Sequence, residues 1–291
     1  VYLLGQRTKT FIKPQSIALL LALIGISWAA PLARLAGVDG YTAAWWRLLV
    51  GTTITLLAHI VFIGKPKFEK NWALISVLSG VFLALHFALW LESLRHMTVS
   101  SSTGIVVSYP IIAGLYDALV SREITTKKFL GVVIGFLGVL VLSTPWAGAT
   151  LFGGILSFTA AIMAAAYIII GRKVRKEEIP TLSYTLVAYG SALLFLTSFT
   201  LVGRQPWNVP QPSIPFLILL GIVPMLLGHS MINYSLRYYP ASAVATVTLL
   251  EPYGAGILAW LVIGEPVPPV TAIGALLTIT GAKIVLSSPT Q

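Results

Sequence analysis

The sequence predicts an all-α integral membrane protein with ten transmembrane helices arranged as two inverted five-helix repeats. Three observations carry this expectation: a composition too apolar for water, a succession of apolar runs of spanning length, and an internal repeat.

The composition comes first because it excludes the most. Of 291 residues, 57% are hydrophobic and 10% charged, and the mean hydropathy is +0.89. A soluble domain carries about 25% charged residues, so this chain lacks the polar surface to face water on all sides and suits a bilayer instead. The formal net charge of +10 would suggest nucleic acid in a soluble protein. Here the basic residues stand in short gaps between apolar runs, where they report topology. The chain has no cysteine, which rules out disulfides, thiolate nucleophiles and Cys-based metal sites.

The apolar runs lie near the ~20 residues needed to cross a bilayer. They occupy 16–36, 41–63, 72–94, 99–120, 128–145, 151–170, 183–203, 215–236, 241–263 and 269–287. Arg7, Lys9 and Lys13 precede the first run, as in a signal peptide. No A-x-A-like cleavage site follows, and nine further runs do, so it is expected to be a retained span. The linkers are short and carry Gly, Pro or charge, as in Gly64-Lys65-Pro66-Lys67.

Orientation follows from the basic residues. Fourteen Lys and Arg fall on one side: Arg7, Lys9, Lys13, Lys65, Lys67, Lys70, Arg122, Lys127, Lys128, Arg172, Lys173, Arg175, Lys176 and Arg237. Three fall on the other: Arg34, Arg95 and Arg204. The bias places both termini in the cytoplasm of a plasma or inner membrane, and it requires an even number of spans.

The repeat is the most specific signal. Ser93-Leu94-Arg95 matches Ser235-Leu236-Arg237, and the match continues without gaps. Ser100 meets Ser242, Pro110 meets Pro252, Ala113-Gly114 meets Ala255-Gly256, and Glu123 meets Glu265. Shared composition accounts for Leu, Val and Ala but not for Ser-Leu-Arg, Pro and a terminal Glu in register. The halves are then 1–148 and 149–291. Five spans each make the second half enter the membrane inverted, a pattern of secondary transporters with midplane sites.

The residues also resemble a known family. Gly228-His229, Asn233, Ser235-Leu236-Arg237, Leu250-Glu251-Pro252 and Gly264-Glu265 look like the second half of an EamA-type protein. His86, Trp90, Ser93-Leu94, Ser101-Ser102-Thr103, Tyr109-Pro110 and Glu123 look like the first. The likeness to this branch of the drug/metabolite transporter superfamily implies ten helices, a central substrate cavity and alternating access. It implies no particular cargo.

Ionisable groups inside spans are costly and mark functional candidates. His86 lies nine residues before Arg95 and His229 eight before Arg237. At 1.5 Å per residue both fall ~12–13 Å from opposite faces, close to the midplane. Trp90 and Asn233 follow one turn later on the same helix faces. The pair is expected to line a cavity, the alternative being histidines that tether neighbouring helices. Pro110 and Pro252 break their spans near the same depth and free the carbonyls of Val106 and Thr248. Such exposed backbone survives only where it is buried in protein or lines a cavity. Tyr109, Glu251 and Tyr253 flank the breaks and join the candidates. Glu251 could exchange a proton for substrate or hold a cationic group, and Arg47, two turns into the second span, could bind a carboxylate. Trp28 offers aromatic surface, although Trp near a span end also marks the interface belt. Gly131-x-x-x-Gly135 reads as close helix packing.

The expected function is secondary active transport of a small metabolite, an amino acid or related compound, by import or export. The expected partners are the lipid bilayer and this substrate, moved with a proton or by exchange, with no nucleic acid, metal or cofactor. The chain is expected as a monomer or homodimer. An intramembrane enzyme lacks support, since no Gly-x-Ser-x-Gly or His-Glu-x-x-His pattern occurs. A channel would require a continuous polar path, whereas the polar groups here concentrate at mid-depth.

Overall fold

The computed structural model describes residues 14–66, 70–122, 124–141, 150–267, 269 and 271–287. Arg7, Lys9, Lys13, Lys67, Glu123 and the 148/149 boundary lie outside them. The described residues form helices and no strands. In chain order these are α1 Pro14–Ala36, α2 Gly40–Phe62, α3 Asn71–Ser93 and α4 Val99–Ser121. After α5 Thr126–Leu140 come α6 Leu151–Lys176, α7 Thr181–Val202, α8 Gln211–Ser235 and α9 Ala241–Ile263, and then α10 Thr271–Ser287.

Among the described residues, eight of the ten expected spans are long and apolar enough to cross a membrane. The fifth and tenth are described over 15 and 17 residues. The expected fifth span ran to residue 145, past the described end of its helix. The tenth is described from Thr271. These two helices pack on each other. Small residues permit it: a Cβ on Gly281 would stand 2.4 Å from both the Gly131 oxygen and the Gly135 nitrogen. The Gly-x-x-x-Gly pattern therefore serves close packing.

Apolar side chains face outward in numbers that water would not tolerate. Val61, Phe62, Leu151, Leu201 and Leu261 are each more than half exposed, which suits contact with lipid tails. The interior instead collects small and hydroxylated residues, among them Ser76, Ser79, Ser93, Ser102, Thr103 and Ser157. Ser93 Oγ lies 2.7 Å from Ser102 Oγ and 2.8 Å from Ser157 Oγ, joining α3, α4 and α6. Interhelical hydroxyl contacts of this kind replace the missing hydrophobic drive between helices in lipid.

The packing repeats when the halves are exchanged. α3 packs on α6 as α8 packs on α1, and α3 on α7 as α8 on α2. α4 and α9 cross antiparallel: the first half of each contacts the second half of the other. That is the geometry of an inverted repeat. Each crossing helix is broken where its sequence predicts. In α4 the regular turns stop at Val106 and resume at Tyr109, with Pro110 in the first turn of the new segment. In α9 they stop at Thr248 and resume at Glu251, with Pro252 likewise placed. Proline there costs no hydrogen bond within its own segment. α1 is also interrupted at Trp28, whose N–H reaches back to the Gly25 carbonyl at 3.3 Å. α8 widens into a π-helical stretch, Gly221–His229, around Pro224. There α8 meets α1 at Gly25 and Gly228, where a Cβ on Gly25 would lie 2.6 Å from the Gly228 nitrogen.

Candidate functional site

The α4–α9 crossing leaves a cavity of about 20 Å³ at its centre, room for roughly one water. Arg47, His86, Trp90, Tyr109, His229 and Glu251 line it, six of the nine residues expected from the sequence to contact substrate. They come from α2, α3, α4, α8 and α9, so both halves contribute.

His86 does two things at once. Its Nδ1 donates to the Ala160 carbonyl on α6 at 3.0 Å, because a carbonyl can only accept. That bond fixes the ring, which lies parallel to the Trp90 indole, 6° between planes and 6.0 Å between centroids. The tether and the cavity lining are both real for this residue. His229 lies 6.3 Å from His86 between ring centroids and meets Phe87 edge-on at 4.9 Å. Its Nδ1 is buried without a hydrogen-bond partner.

Arg47 combines unpartnered donors with no exposed surface. Its side chain is fully buried, at 0%, with the guanidinium carbon 3.9 Å from the centre of the Phe87 ring. None of its three guanidinium nitrogens has a hydrogen-bond partner. Glu251, at 7% exposure, lines the same cavity but does not reach ion-pair distance of Arg47. A cation and a carboxyl thus face one small space from opposite halves, and among the described residues they form no ion pair with each other. Burial of an unpaired ion costs several kcal/mol, which the aromatic face under Arg47 offsets only in part.

The remaining expected residues sit elsewhere. Asn233 stands behind the wall and braces it: its Nδ2 donates to Tyr167 Oη at 2.6 Å and to Tyr189 Oη at 3.2 Å. Tyr253 turns away from the crossing to place its hydroxyl 2.9 Å from Thr278 Oγ1 on α10. Trp28 is half-buried at the interruption of α1, next to the wall residue Ala29. Pro110 and Pro252 are buried at the crossing, where they create the breaks. Sequence reasoning missed Tyr167, which lines the cavity and lies 6.1 Å from His229 between ring centres. It also missed Phe87, the platform for Arg47. A phenol and a phenyl among Ala and Ile carry no depth signal; only the packing of α6 and α3 brings them to the site.

The model of the EamA-like transporter family matches twice, at residues 14–144 and 151–287. An uncharacterized transporter of Archaeoglobus fulgidus is 26% identical, over 94% of this chain and 98% of its own length. The uncharacterized transporter YwfM of Bacillus subtilis is 26% identical, over 84% and 83%. A riboflavin transporter of Vibrio cholerae is 24% identical, over 77% and 74%. A solved crystal structure shares the fold at a TM-score of 0.75 and 16% identity, over 94% of this chain and 97% of that one. With each half matched by the same model, the chain belongs to the EamA-like transporter family.

Proposed function

We propose that this transporter is a secondary active carrier for a small metabolite bearing both charges, an amino acid or related compound, working by alternating access around the α4–α9 crossing. The repeats 1–148 and 149–291 would be its two moving halves, and both termini would face the cytoplasm.

One observation carries the reading: the buried guanidinium of Arg47, with no protein acceptor, opens onto the same cavity as Glu251. Buried donors left without partners call for an explanation, and a substrate carboxylate supplies one, since a guanidinium fork matches it bidentately. Glu251 would take the ammonium group. A zwitterion held this way bridges the first half, through α2, to the second, through α9. His86, His229, Trp90, Tyr109 and Tyr167 would wall the substrate.

A small site at mid-depth, lined from both halves, fits a carrier better than a channel, which conducts through a continuous path. The test is flux of labelled amino acids into proteoliposomes. Saturation with counterflow is expected. Conductance without saturation would assign a channel, and no flux of any amino acid would remove the proposed cargo.

A further inference from the structure

Two clusters of charge stand at opposite ends of the crossing. At the end where α1 and α9 finish, Glu265 Oε1 accepts from the Val99 backbone N–H at 2.7 Å, where α4 begins. Arg34 Nη2 donates to the Met97 carbonyl in the turn before α4 at 2.6 Å and lies 3.9 Å from Glu265 Oε2. At the other end, Asp117 Oδ2 accepts from the Ser242 backbone N–H at 2.7 Å, where α9 begins. Arg172 Nη1 donates to the Leu236 and Arg237 carbonyls before α9 at 2.6 and 3.0 Å. Arg172 and Asp117 line one pocket there.

The plan is the same at both ends. An acid from one half caps the broken helix of the other, while an arginine ties down the loop that leads into that helix. The side-chain caps on other helices stay within one half: Glu92 holds Gly40, Asp39 holds Thr42, Thr125 holds Lys128, and Thr150 holds Gly153. The two acids are not sequence mates, for Glu265 pairs with Glu123 and Asp117 with Ala259 in the repeat register. The likeness is therefore one of geometry.

We propose that these clusters are paired gates: Glu265 with Arg34 closes one face, Asp117 with Arg172 closes the other, and transport opens them in turn. The proposal rests on alternating access and adds the residues that enforce it. Tyr109 lies ten residues from Val99 and eight from Asp117, so each gate is ~12–15 Å along α4 from the cavity. Carboxylate caps on helix N–H groups are among the stronger hydrogen bonds and are favoured by the helix dipole. Because each one joins the two halves, rocking one half against the other breaks a gate at one face and leaves its counterpart intact. With both formed, the space between them is small, about 20 Å³.

The test uses the absence of cysteine in the chain. Ala164, on the cavity wall, is replaced by cysteine, and an impermeant thiol reagent is applied separately to each face in oriented vesicles. Glu265→Gln and Arg34→Gln are expected to raise labelling from the Glu265 face relative to the other by roughly tenfold, the equilibrium equivalent of one charged hydrogen bond. Asp117→Asn and Arg172→Gln are expected to move the ratio the opposite way. Shifts in the same direction from both gates, or an unchanged ratio in all four variants, overturn the proposal. Loss of folding in both variants of one gate assigns that cluster to structure and overturns it too. Reciprocal labelling without counterflow would keep the gates and remove the carrier, whereas counterflow without reciprocity would do the reverse.

Discussion

Tyr109 donates its phenolic hydroxyl to Thr248 Oγ1, a bond that joins the break in α4 to the break in α9. Thr248 in turn donates to the Ala245 carbonyl at 2.7 Å, so a short chain of hydroxyls spans the two halves. At the symmetry-related corner the repeat mates are Glu251 and Val106, both on the cavity wall, and valine offers no such partner. One corner is latched and the other is left open for chemistry. Tyr109→Phe should lose about 1 kcal/mol of stability, the worth of one neutral hydrogen bond, read as earlier thermal unfolding in detergent. If unfolding is unchanged, the latch contributes nothing.

Arg47 makes a prediction with opposite signs for stability and function. Its guanidinium has no protein partner, so Arg47→Met removes a buried charge and keeps much of the volume. Replacing a buried ion with a packed apolar residue is often stabilising by 1 kcal/mol or more, on the order of what is found for buried ion pairs. The variant should therefore unfold later and fail to transport. Simultaneous loss of stability and transport would instead make Arg47 a structural residue.

The two histidines should separate in the same assay. His86 is anchored to Ala160, whereas the Nδ1 of His229 has no partner. His86→Ala should cost about 1–2 kcal/mol more stability than His229→Ala, one hydrogen bond plus the packing against Trp90. Both should weaken uptake. Equal stability losses would mean that the anchor carries no weight, and wild-type uptake in both would remove the pair from the site.

What the sequence could disclose follows from what the membrane penalises. Ionisable groups at mid-depth are expensive, so Arg47, His86, His229 and Glu251 were legible, and all four line the cavity. Proline is expensive inside a helix, so both breaks were legible. Helix rotation has no such signature. Tyr253, two residues from Glu251, turns to Thr278 instead of the site, and Asn233 braces Tyr167 from behind. The π-helical widening of α8 and the interruption of α1 at Trp28 lie where the two helices meet at Gly25 and Gly228, a contact that no single segment announces.

Orientation can be read with the same cysteine-free background. The 14-to-3 basic asymmetry places Lys65 inside and Gln205 outside. In intact cells, an impermeant thiol reagent should label Gln205→Cys and spare Lys65→Cys. The reverse pattern would invert the assignment of both termini.

Glu251 offers the sharpest separation of roles. It begins the second segment of α9 beside Pro252, faces the cavity, and has no ion-pair partner in Arg47. If its carboxylate holds a substrate ammonium, Glu251→Gln keeps the shape but loses the charge. Binding of an amino acid should then weaken by roughly tenfold or more, the loss expected of one charge-assisted hydrogen bond. Binding of the matching desamino acid, which presents only its carboxylate to Arg47, should stay the same. The amine that lacks the carboxylate should show the converse pattern against Arg47→Met. A proton-coupling role makes a different forecast for Glu251→Gln: accumulation driven by a pH gradient disappears while counterflow and binding persist. Thermal-shift titration with the three ligands distinguishes these outcomes, because a ligand stabilises by mass action in proportion to its affinity. Unchanged binding of all three, with unchanged accumulation, would leave Glu251 only the structural task of starting its helix segment at the proline break.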